Sequence, residues 1–250
     1  MMMTIETLWL LAILAGLGWW TVHGNREYAV FRKLADSRRR AAYYWRWTGQ
    51  SFLLLTGSSL VTLWMLGRLE APFVMPEAFA ALAANFVRET PSDSAEGMAG
   101  FMVGAAMGVG PLAFLYWFRL RRAVEAVVGD IEPLLPRNAR ERIAAVPLCL
   151  NAGFSEELFF RLALPLLAAE VTGSAVLGFA LALAAFGLAH AYQGWKGIAA
   201  TSLLGGLFTV QYLSGTSLLW LMAAHAIIDL VGLIVRPILA ERLGRRPAAV

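Results

Sequence analysis

Between Asn151 and Ala169 the chain reads NAGFSEELFFRLALPLLAA, placing two adjacent carboxylates and an arginine inside an apolar stretch of bilayer-crossing length. A charged side chain at membrane depth costs at least about 2–3 kcal/mol, so such residues face a protein interior or a watered cavity and mark function. A helix over this stretch sets Glu157 and Arg161 four residues apart on one face, the acid-before-base spacing that favours a pair. Glu156 points about 100° away from Glu157 on such a helix, and Arg161 lies five positions beyond it. Glu156 is therefore the less neutralised acid and the candidate for chemistry.

Of the 250 residues, 59% are hydrophobic and 15% charged, with a mean hydropathy of +0.62. That balance lies outside the soluble globular range and predicts an all-α fold, a polytopic membrane helical bundle of about seven transmembrane helices. The apolar stretches run over 5–23, 47–67, 98–118, 144–169, 174–193, 197–213 and 218–235. Residues 1–143 are read as N-terminal transmembrane helices and loops, 144–236 as the core that carries the chemistry, and 237–250 as a basic cytoplasmic tail. The single cysteine, Cys149, makes no internal disulfide, so helix packing must hold the fold. The start, MMMTIETLWLLAILAGLGWW, carries Glu6 and no basic leader, and reads as a retained first span.

The formal charge of +4 does not indicate nucleic acid, because the arginines gather between apolar spans. Residues 24–46 hold seven basic side chains, Arg40 among them, against Glu27 and Asp36, whereas residues 68–98 hold Arg68 and Arg88 against five acids. Residues 119–142 carry six arginines, and the tail from Arg236 carries four against Glu241. The positive-inside rule then predicts an N-terminus outside, a C-terminus in the cytoplasm and a plasma membrane of bacterial type.

Tryptophans at 19, 20, 45, 47, 117, 195 and 220 fall near span ends and read as interfacial anchors. Residues 119–135 could form a short helix on the inner surface, and 71–96 a loop with one short helix. Small residues in the third span (Gly100, Gly104, Gly108) and the sixth (Gly205, Gly206) allow close helix approach.

Once loops and span ends are set aside, the acids and arginines left inside the spans are Glu156, Glu157, Arg161 and Asp229. His190 sits in AAFGLAHAYQG, and His225 in MAAHAIIDLVG with Asp229 four residues later on the same helical face. Either histidine alone reads equally well as a packing residue. Together, two carboxylates, two histidines, an arginine and an aspartate on three of the last four spans point to a shared site. Carboxylate and imidazole can bind a metal or run acid–base chemistry on water, and each reading predicts hydrolysis. Glu156 could deprotonate water, a histidine could polarise it, and the pair from the last span could stabilise an oxyanion, with Asp229 holding His225 in one tautomer.

Glu156-Glu157-x-x-x-Arg161, Phe186-x-x-x-His190 and His225-x-x-x-Asp229, in that order, resemble the three-motif signature of the CAAX-protease and bacteriocin-processing (CPBP, or Abi-type) intramembrane endopeptidases. The resemblance covers about residues 145–236. It implies that Glu156 activates water, Glu157 and Arg161 shape the site, His190 assists the water, and His225 with residue 229 forms the oxyanion side. Family members often carry asparagine at that last position; Asp229 can donate to an oxyanion only when protonated. The resemblance implies catalysis without a cofactor, with zinc or another divalent metal on Glu156, His190 and His225 as the alternative. The expected partners are a membrane-associated peptide or protein substrate and the lipid bilayer.

No HExxH helix, GxGD motif or GxSG loop occurs, which excludes the corresponding membrane protease classes. A non-catalytic bacteriocin-immunity or scaffold protein would show decayed catalytic positions, and these are intact. A proton-coupled transporter would show repeated halves, and the sequence has none.

Overall fold

The computed structural model describes residues 3–86 and 129–242, whose regular elements are all helical. Helix α1 (Ile5–Phe31) is followed by α2 (Ser37–Ser51), which runs through a π-helical turn (Phe52–Thr56) into α3 (Gly57–Met65). A short α4 (Glu77–Ala83) comes next, then α5 (Ala139–Glu157), continuous through a second π-helical turn (Leu158–Ala163) with α6 (Leu164–Thr172). Helices α7 (Ala175–Ala189) and α8 (Gly194–Leu213) follow, and α9 (Leu218–Leu230) passes through a third π-helical turn (Val231–Val235) into α10 (Arg236–Arg242).

Helix starts are set by side chains that accept from the otherwise orphaned first N–H groups. Asp36 accepts from Arg39 N at 2.6 Å, Asn138 from Glu141 N at 3.1 Å, Ser174 from Leu177 N at 3.3 Å and Ser217 from Trp220 N at 3.4 Å. Helix α6 stops at Gly173, whose φ of 72° is a left-handed conformation that costs glycine nothing.

The chain is a multi-pass helical membrane protein. Three stretches are each long and apolar enough to cross: Ile5–Phe31, Ala139–Thr172 and Leu218–Leu239. Helices α7 and α8 pass that test only when taken together, across a break of 48°. They lie back along one another, since Gly187 faces Ser202 and Ile198 while Gly205 faces Phe186 and Leu183. The expected seven crossings are thus not what the described residues present. The 98–118 stretch and its glycines lie outside those residues, and the 47–67 stretch forms α2 and α3, whose apolarity is diluted by buried Ser51, Thr56, Ser59 and Thr62.

The organising element is the 34-residue helix Ala139–Thr172. Residues 157–169 are buried on every side, as expected for a helix apolar all round. Leu158, Leu162 and Leu166 join one core cluster with Phe179 and Tyr212, while Phe159, Phe160, Leu164 and Leu167 join another with Leu10 and Phe186. Helix α5 packs against α2 on one side and α9 on the other, and α6 packs against α7. The outer surface is apolar instead, with Leu8, Leu53, Trp64, Val176, Leu203 and Ile227 exposed, as suits a lipid solvent.

Among the described residues, two glycines admit the closest approaches to a neighbouring backbone. A Cβ on Gly153 would stand 2.6 Å from Ala226 N and Met222 O of α9, and one on Gly178 would stand 2.4 Å from Pro165 O. Helices α5 and α9 therefore touch backbone to backbone one turn before Glu156.

Several loop expectations need correction. Arg40, read as a loop charge, is fully buried in α2 and paired with equally buried Glu141 at 3.0 Å. Trp47, expected near a span end, is half-buried, and its indole N–H donates to Glu27 at 2.7 Å. Of the 119–135 segment, residues 119–128 lie outside the described residues, and the remainder is a turn with a 3-10 segment (Glu132–Leu134). The short helix anticipated within 71–96 is α4, which buries Phe79 against Phe179 and Tyr212.

Candidate active site

Helix α5 ends at the two glutamates, and the π-helical turn after it carries Arg161. Such turns are rare and recur where a helix must present side chains for function. Arg161 Nε lies 3.0 Å from Glu157 Oε2, with both side chains inaccessible to solvent. Neither atom makes an aligned hydrogen bond, so the attraction is Coulombic. The guanidinium also lies over the Phe186 ring at 4.6 Å and over the Phe208 ring at 5.8 Å from the centroid. Glu157 Oε1 in turn takes His225 Nδ1 at 2.7 Å. One carboxylate thereby neutralises an arginine and orients an imidazole.

His190 terminates α7, where its backbone caps the helix and its Nδ1 meets Phe186 O at 2.8 Å. A carbonyl can only accept, so Nδ1 carries the proton and Nε2 is left with its lone pair. That Nε2 stands 3.9 Å from Glu156 Oε2. His225 Nε2 stands 3.9 Å from the same oxygen and 3.8 Å from Asp229 Oδ2. Glu156 Oε2 is buried and has no hydrogen-bond partner among the described residues.

These groups converge although the sequence places His190 toward the inner end of its span, His225 toward the outer half of its own and Glu156 near the middle. A break follows His190, where α7 gives way to α8 and leaves the imidazole beside Glu156. Glu156, His190, His225 and Asp229 line one cavity of about 440 Å³, with Phe160 and Phe186 among its apolar walls. Glu157 and Arg161 do not line it; they stand behind His225. Of the six expected residues, four face the cavity and two support it.

Glu156, His190 and His225 bring metal-ligand chemistry to one place, yet among the described residues no three His, Cys, Asp or Glu side chains stand in an arrangement that could hold a metal ion. Sequence reasoning overlooked Gly153, signalled by a small residue one turn before the glutamates, and Tyr192, two residues beyond His190 and also on the cavity wall.

Fold and site together define a helical membrane protein with an acid–imidazole cavity enclosed by its spans. Residues 139–231 match the family model described as Type II CAAX prenyl endopeptidase Rce1-like, a family of proteases. The match runs from the start of α5 into the turn after α9 and includes all six residues above, so the resemblance carried by the three motifs is shown over that segment. No curated protein and no solved structure matches the chain.

Proposed function

We propose that the protein is an intramembrane endopeptidase of the glutamic type, hydrolysing a peptide bond of a membrane-associated protein or peptide precursor. The observation that supports this reading best is Glu156 Oε2, buried, unpartnered and 3.9 Å from the Nε2 atoms of both His190 and His225. That separation is too long for direct hydrogen bonds and suits two groups sharing one water. In this scheme Glu156 takes a proton from the water while the His190 Nε2 lone pair holds its other hydrogen. The water oxygen attacks the scissile carbonyl carbon, and His225 as the imidazolium offers Nε2–H to the resulting oxyanion. Collapse breaks the C–N bond, Glu156 returns its proton to the leaving amine, and a carboxylate and an amine depart.

The reaction is proposed to need no cofactor; the competing zinc mechanism would require Glu156, His190 and His225 to move into a ligand arrangement that they do not have here. The arginine-rich segments are proposed to face the cytoplasm of a bacterial plasma membrane, with the N-terminus outside. The matched family's description makes a prenylated peptide ending in a CAAX sequence the first substrate to try. Purified protein should cleave such a quenched-fluorescent peptide, and Glu156→Gln should abolish cleavage while leaving expression and melting temperature intact. Full activity in that variant rejects Glu156 as the base.

A further inference from the structure

A tetrahedral intermediate is best held by more than one hydrogen-bond donor, and an ionised Asp229 offers none. Several other polar groups on the cavity wall are already committed, and those uncommitted among the described residues, Trp20, Thr21, Asn25 and Gln50, belong to α1 and α2. Ser51 Oγ donates to Trp47 O at 2.8 Å, Trp47 donates to Glu27, Thr201 Oγ1 to Gly197 O and Tyr28 O–H to Asp130 O. Gln193 Nε2 donates to the Tyr192 hydroxyl at 3.0 Å. Tyr192 therefore uses its oxygen as an acceptor, and its O–H proton has no acceptor among the described residues. The phenol lines the same cavity as Glu156, His190, His225 and Asp229, and its ring lies 6.0 Å from the His190 ring.

Its position is fixed from outside the site. The Tyr28 ring packs against it at 5.0 Å, and Asp130 N–H donates to Gln193 O at 2.8 Å, strapping the 129–135 segment over the break between α7 and α8. Gly129, with φ of 87°, makes room for that strap, since a Cβ there would stand 2.9 Å from Gln193 O.

We propose that Tyr192 is a further catalytic residue, whose phenolic O–H donates to the oxyanion formed at the scissile carbonyl and completes with His225 the pair of donors that Asp229 cannot supply. The proposal rests on the hydrolysis set out above and adds one donor to it. Its test uses the full chain in detergent with the prenylated CAAX peptide and with a peptide phosphonate that mimics the tetrahedral state. Tyr192→Phe should lower kcat by about 10²–10³ with KM changed less than threefold, and should weaken phosphonate binding by the same factor. Tyr212→Phe, which removes a buried phenolic hydroxyl in the core cluster away from the cavity, should keep kcat within about threefold. An unchanged kcat in Tyr192→Phe overturns the proposal. So does a loss that appears in KM alone, or one that Tyr212→Phe reproduces. Absence of cleavage by the unmodified protein would instead overturn the hydrolase reading, and Tyr192's role with it.

Discussion

His225 Nδ1 lies 2.7 Å from Glu157 Oε1, while Arg161 Nε approaches the other oxygen of the same carboxylate at 3.0 Å. The imidazole is held by one nitrogen from behind, which turns Nε2 toward Glu156. Glu157→Gln keeps the shape and removes the charge, leaving Arg161 buried without compensation. Breaking a buried pair this way costs about 3–5 kcal/mol, and loss of an orienting group behind a catalytic one lowers activity by about 10–100-fold. Thermal unfolding in detergent and steady-state cleavage check both. A variant as stable and active as the original would mean the shared carboxylate has neither role.

Asp229 Oδ2 is 3.8 Å from His225 Nε2, too far for a hydrogen bond. If the carboxylate were the partner that fixes His225, its removal would be severe, but Glu157 already does that from the other side. Asp229→Asn should therefore leave cleavage within about tenfold of the original, with KM and melting temperature nearly unchanged. A loss of a thousandfold would show that the reaction uses the carboxylate itself.

If water is activated by Glu156 and His190 without a metal, exhaustive chelation of the purified enzyme should leave kcat intact, and elemental analysis should find far less than one equivalent of metal. Activity lost on chelation and restored by zinc would install the metal mechanism instead.

The local part of this geometry was legible in the sequence. Glu157 and Arg161 share a face by helical period, and the residues of the long central helix are too apolar to lie anywhere but inside. What could not be read are contacts whose partners lie far apart in the chain. Arg40 and Glu141 are 101 positions apart and each reads as an ordinary surface charge, yet both are buried. The position of His190 depended on a helix break that no proline announces. The three π-helical turns leave no periodic signature, because each alters only five or six residues. Tyr192 has no motif of its own; it was visible only as an aromatic beside a histidine.

Gly153 lies where α5 meets α9, with room for no side chain. Gly153→Ala would press a methyl to 2.6 Å from Ala226 N and Met222 O, and backbone on that scale cannot rotate aside. Separation of the helices should cost about 1–3 kcal/mol and displace His225 relative to Glu156, so cleavage should fall more than stability alone explains. Gly18→Ala is the control, since nothing lies within 4 Å of a Cβ there. Equal melting temperatures and equal activities in the two variants would show that α5 and α9 yield without consequence.

The buried pair of Arg40 and Glu141 joins α2 to the start of α5 and also holds the strap beside the site. Arg40 Nη2 donates to Pro133 O at 2.8 Å, Tyr44 O–H donates to Leu134 O at 2.9 Å, and the guanidinium lies 4.1 Å from the Phe31 centroid. Arg40→Met leaves Glu141 charged and unpaired in the interior, which should cost about 3–5 kcal/mol. Adding Glu141→Leu removes the stranded charge and should recover much of that loss. Recovery should stop short by about 1 kcal/mol, because Glu141 Oε2 also accepts from Arg137 N at 3.0 Å. Unfolding of both variants, with proteolysis at residues 129–135 as a readout of the strap, tests the argument. A double variant no more stable than Arg40→Met would show that the strap's hydrogen bonds, rather than the ion pair, hold this end of the bundle together.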